Sequence, residues 1–73
     1  MDPTTALQAL VIIIGEDDLR DRFMALTGLD AATLRARAGQ PDMTLAISDF
    51  LAGNERDLLR VATALAIPPE KLL

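Results

Sequence analysis

Arg22-Phe23-Met24-Ala25-Leu26-Thr27-Gly28-Leu29-Asp30-Ala31-Ala32-Thr33-Leu34-Arg35 decides the fold. Apolar residues three and four apart end at a glycine, where a left-handed C-terminal cap would sit. Asp30 then stands where a side-chain oxygen can cap the next helix. The stretch reads as helix, tight turn, helix. Gly15, Gly39 and Gly53 each follow an apolar-periodic segment in the same way. Taken together, the glycines divide the chain into five helices.

The predicted helices run from about Pro3 to Ile14, Asp17 to Leu26, Ala31 to Ala38, Met43 to Ala52 and Glu55 to Ala66. Asp2, Asp30, Asp42 and Asn54 are the expected caps, with Asp57 reaching back to Asn54 in a variant of the capping box. Pro68-Pro69 opens a short C-terminal turn. The expected core stripes are Leu19, Phe23 and Leu26; Met43, Ala46, Ile47, Phe50 and Leu51; and Leu58, Val61, Ala62 and Leu65. Along the first helix Leu7, Leu10, Val11 and Ile14 form one stripe, while Ile12 and Ile13 point elsewhere. The fold class is all-α: a compact bundle of five helices with a C-terminal turn, in one domain spanning residues 1–73.

The two halves echo each other. Gly15-Glu16-Asp17-Asp18-Leu19 with Ala25-Leu26-Thr27-Gly28 parallels Gly53-Asn54-Glu55-Arg56-Asp57-Leu58 with Ala64-Leu65-Ala66-Ile67, at a period of about 39 residues. Two helical units, about 5–38 and 43–73, would share one core that neither builds alone.

The chain has 73 residues, eleven acidic and seven basic side chains, and no cysteine or histidine. By area scaling it exposes about 4,400 Å² when folded, burying roughly 60% of its unfolded surface, which is marginal for a lone domain. The missing residue types exclude a disulfide scaffold, a thiol nucleophile and the ligands favoured by zinc and copper. Ser48 is the sole serine and Lys71 the sole lysine, with no base poised to activate either, so no enzyme, cofactor or small-molecule substrate is expected. Glu16, Asp17, Asp18 and Asp21 lack the spacing of a calcium loop. Nine of the eleven carboxylates fall at a cap or first turn of a predicted helix, where they complement the macrodipole. The N-terminus lacks a basic signal region and no apolar run is long enough to span a membrane, so a cytoplasmic location is expected.

Two binding readings remain. In the first, an apolar side of helix 1 and the edge of helix 4 contact a protein partner or a second copy, through Val11, Ile12, Ile13, Leu45 and Leu59. The alternative is a helix-turn-helix-like DNA-binding domain, with Thr33, Arg35 and Arg37 after Asp30 as readers or phosphate contacts. Four acids balance four arginines over residues 17–38, so that reading lacks the positive footprint a duplex requires.

The order Ala6-Leu7-Gln8-Ala9-Leu10, Gly15-Glu16-Asp17, Arg22-Phe23-Met24-Ala25-Leu26-Thr27-Gly28-Leu29-Asp30, Leu34-Arg35-Ala36-Arg37-Ala38-Gly39 and Asp49-Phe50-Leu51 resembles a small helical family of alphaproteobacteria, the DUF3572 type. The Thr-Gly-Leu-Asp turn followed by Leu-Arg-Ala-Arg-Ala-Gly is its most specific part. The resemblance implies an all-helical bacterial cytoplasmic domain, and it brings no activity and no functional residues.

Overall fold

Asp2 starts the chain's first helix, its carboxylate accepting from the Thr5 amide at 2.7 Å, with Pro3 in the first turn. In the computed structural model, which describes residues 1–73, the helices are α1 (Pro3–Gly15), α2 (Asp17–Thr27), α3 (Ala31–Ala36), α4 (Pro41–Ala52) and α5 (Glu55–Leu65), followed by a 3-10 turn at Pro69–Leu72. There are no strands. The accessible surface of 4240 Å² matches the size expected of a folded chain of this mass. Element lengths run 13, 11 and 6 residues, then 12, 11 and 4. Leu34 on the first short element and Leu72 on the second are both fully buried.

Helix α1 is the hub, touching α2, α4, α5 and the C-terminal turn. Four neighbours crowd it on the side that carries Ala6, Ala9, Leu10 and Ile13. Small side chains there let the other backbones come close, and Ile13 fills the middle with no exposed surface. The expected stripe is thereby corrected. Leu10 is buried, whereas Leu7 and Val11 face outward and Ile14 is half-buried. Around α1 the core collects Leu19 and Phe23 from α2, Leu34 from α3, Met43, Ile47 and Leu51 from α4, Val61 and Ala62 from α5, and Leu72. Leu26, expected inside, lies exposed at the end of α2. Phe50, Ala46, Leu58 and Leu65 are half-buried against the core.

Several helix termini also differ from expectation. Helix α4 begins at Pro41 rather than Met43, because proline's fixed φ suits a first helical position; Gln40 is the cap and Asp42 sits in the first turn. Helix α3 stops at Ala36, and residues 37–39 form a turn. Only Gly28 among the glycines adopts the left-handed conformation, at φ 72°; Gly15 is the last residue of α1, and Gly53 stays right-handed at φ −77°.

Thr27 fastens the turn at Gly28. Its hydroxyl donates to the Phe23 carbonyl at 2.9 Å and accepts from the Leu29 amide at 3.3 Å, so two backbone groups freed by the helix end find partners. Asp30 then accepts from the Thr33 amide at 2.8 Å and opens α3.

At the end of α5 the left-handed position falls on an alanine, Ala66, at φ 56°. The Ile67 amide reaches back to the Ala62 carbonyl at 3.0 Å, closing a Schellman-type cap, and Pro68 prevents continuation. A left-handed L-residue costs about 1–2 kcal/mol, of which extra unfolded-chain entropy would take back less than half on conversion to glycine. Ala66→Gly is therefore expected to stabilise the domain by about 0.5–1 kcal/mol, read as a higher urea midpoint at unchanged slope. Gly28→Ala is expected to do the opposite by about 1 kcal/mol through backbone strain, since open space surrounds the added methyl.

Candidate functional site

Outward rotation of Leu7 and Val11 leaves an apolar groove of about 450 Å³ between α1 and α3. Leu7, Leu10, Val11 and Ile14 form its floor and one wall; Ala38 and Arg35 form the other. Val11 is 66% exposed and Leu7 46%, large values for aliphatic side chains of a small domain. No acid lines this groove. Arg35, like Arg56 on α5, makes no salt bridge, whereas Arg20, Arg22, Arg37 and Arg60 are all paired. Its neighbours one turn away, Ala31, Ala32, Ala38 and Gly39, offer no carboxylate.

A second groove of about 420 Å³ lies between the end of α2 and α4, where Leu26, Leu29, Met43 and Ala46 meet Asp49 and the Arg37–Asp42 ion pair. That ion pair neutralises one of the two arginines expected to meet DNA. Thr33 is half-buried, so of the three candidate readers only Arg35 is both exposed and outside an ion pair. With six residues, α3 spans barely 9 Å, short for a helix that must follow a major groove.

The residues expected to form one apolar contact surface are not brought together. Val11 lines the α1–α3 groove; Leu45 and Leu59 are exposed but lie outside it. Ile12 is half-buried against the core, and Ile13 is corrected to a core residue because α1 turns that side toward its four neighbours. Leu7, Leu10, Ile14, Gly15 and Ala38 line the groove without having been expected as contacts, and Arg35 was expected only as a DNA contact. Leu7, Val11 and Ile14 did stand out as a stripe at helical spacing. Val11, expected both in this stripe and as a partner contact, faces outward because a second face, Ala6, Ala9 and Ile13, has the same period and its two alanines let the neighbouring helices approach.

Most of the remaining charge locks α2 to α5. Arg22 donates through Nη1 to Asp57 Oδ2 at 2.6 Å and through Nη2 to Oδ1 at 2.8 Å, a bidentate pair. Asp57 is only 1% exposed, so it does not reach back to Asn54 as a capping-box partner. The expected Asn54 cap is in place, with the Asp57 amide donating to Asn54 Oδ1 at 3.3 Å, but the Asp57 carboxylate turns to Arg22. The Arg22 guanidinium lies 5.8 Å from the Phe50 ring centre, and Phe50 meets Phe23 edge-to-face at 5.0 Å. Beside this pair, Arg60 donates to Asp18 at 2.7 and 3.2 Å and lies 3.4 Å from Glu16. The partners and burial of these groups suit a structural clamp. No group of three or more acidic, histidine or cysteine side chains is placed to hold a metal ion.

Arg60's hydrogen bonds hold the Asp18 carboxyl at about 2, down from its ordinary 3.8. Above about pH 5 the carboxylate is ionised in both states and its stabilisation is fully present. As pH falls from about 3.8 through 2 the unfolded chain binds the proton first, so stability drains away. Asp18→Asn is expected to be less stable at neutral pH and to show a shallower fall between pH 4 and 2, measured by urea titration at each pH.

The profile of the family described as "Protein of unknown function (DUF3572)" matches residues 3–73, from the first turn of α1 to the end of the chain. The chain belongs to the DUF3572 family. Comparison with curated proteins and comparison with solved structures both give no match. No helix is long and apolar enough to cross a membrane. The DUF3572 chain is thus an all-helical domain in which four of the arginines are paired across or along its own helices, and two of its exposed aliphatic side chains, Leu7 and Val11, share one groove beside α1.

Proposed function

We propose that this domain is a non-catalytic protein-interaction module acting in the cytoplasm, and that its contact surface is the groove between α1 and α3. The exposure of Val11 and Leu7 in an aliphatic channel with a single cation carries this reading. Burying such side chains on association returns about 25 cal/mol per Å² of apolar surface before ordering costs. The absence of acid, hydroxyl or amide side chains along the groove favours a docking surface over a catalytic cleft, which needs convergent polar groups. A protein other than a second copy is favoured because the outward leucines Leu45 and Leu59 lie outside the groove rather than extending it into one self-complementary face.

A photoreactive residue placed at position 11 in cells tests the reading. Discrete adducts from position 11, absent when the same residue is placed at Arg56 on the exposed first turn of α5, are expected. No adduct from position 11, or equal adducts from both positions, would overturn it.

A further inference from the structure

We infer that the occupant of the α1–α3 groove is an amphipathic helix of another protein that carries an acidic side chain beside its apolar stripe, placed to pair with Arg35. This rests on the interaction reading and adds the chemistry of the partner. The apolar part follows from spacing. Leu7, Val11 and Ile14 are successive turns of α1 and present ridges over about 10 Å, the period at which a second helix offers side chains at i, i+4 and i+7. Only α1 and the α3 segment wall the groove, so a small amphiphile would keep much of its surface in water, whereas a helix covers its own open side.

The acidic part follows from charge. The domain carries eleven acids and seven bases, yet the groove holds one arginine and no carboxylate. Arg35 is exposed, has no ion-pair partner, and has alanine or glycine at every position one turn away. An apolar helix bearing a carboxylate on its flank satisfies that guanidinium, while a basic flank would be repelled by it. The acid therefore sets orientation and selectivity, and the aliphatic contacts supply most of the affinity.

The test is selection of a displayed library of amphipathic helical peptides, leucines fixed at i, i+4 and i+7 and flanks randomised, against the intact 73-residue chain. Affinities of the selected peptides follow from fluorescence anisotropy. Aspartate or glutamate is expected to be enriched at one flank position. Arg35→Gln, or the matching Glu→Gln in the peptide, should weaken binding about fivefold, with little further loss when combined. Val11→Glu should abolish binding, and Leu7→Gln should repeat the loss through a second side chain. Both sites are exposed, and circular dichroism checks that the variants stay folded. Peptides that need Val11 but show no acidic preference and ignore Arg35→Gln would overturn the inference and leave the interaction reading standing. If no selected peptide depends on Val11, or if dodecanoate fills the groove in place of peptide, the helical occupant is overturned, and the crosslinking result at position 11 decides the broader reading separately.

Discussion

Arg22→Ala is expected to be among the most damaging single changes in the domain, more damaging than Asp57→Ala at the other end of the same ion pair. The asymmetry comes from burial. Asp57 is 1% exposed while the Arg22 side chain keeps 44% of its surface in water. Deleting Asp57 lets the arginine turn outward and hydrate, which costs about 1–2 kcal/mol for the lost charge-assisted bonds. Deleting the arginine strands a carboxylate inside the α2–α5 contact, and leaving Asp57 there unpaired costs about 3 kcal/mol, the low end of the usual range because truncation admits some water. A chain of this length has about 4–11 kcal/mol in total. Urea unfolding of the two single variants and the double variant would check this. The double variant should resemble Asp57→Ala more than Arg22→Ala. Equal losses in the two single variants would contradict the argument.

The second large effect is expected at Phe23. This ring is fully buried, packs edge-to-face on Phe50 and sits within the cluster that also holds Ile13 and Leu19. Phe23→Ala removes the largest side chain of the core and leaves a cavity in a domain with little material to collapse into it, for a loss of about 3–5 kcal/mol. The Phe50 edge contact accounts for about 0.5–1.5 kcal/mol of that loss. Phe23→Leu, which keeps most of the volume, is expected to lose less than half as much. Thermal unfolding followed by circular dichroism separates the two, since each kcal/mol moves the midpoint of a domain this size by about 4–8 °C.

Phe23, Asp30 and Gly28 were readable because each acts through neighbours a few positions away: a helical stripe, a cap, a turn that needs positive φ. The family likeness rested on the same local stretch. Asp57 was not readable as an ion-pair partner, because Arg22 lies thirty-five residues from it and nothing in local pattern links them. The cap reading for Asp57 was locally sound and lost to a stronger partner brought in by the tertiary fold. The groove was misjudged for a different reason. Helix α1 is apolar almost all round, so periodicity leaves its rotation undetermined, and the choice fell to how closely four neighbours could approach Ala6 and Ala9. Ile13 went inside and Val11 outside as a result, which moved the candidate surface from a scattered set of residues to one channel.

Helix α3 has a single fully buried side chain, Leu34, to hold it against the remainder. Leu29 before it and Ala38 after it rest half-buried against the core, Arg37 pairs with Asp42 of α4, and the main contacts among α1, α2, α4 and α5 do not pass through it. The α3 bank of the channel is therefore held by fewer core contacts than the α1 bank, and amide exchange is expected to be faster across residues 31–36 than across the middle of α1.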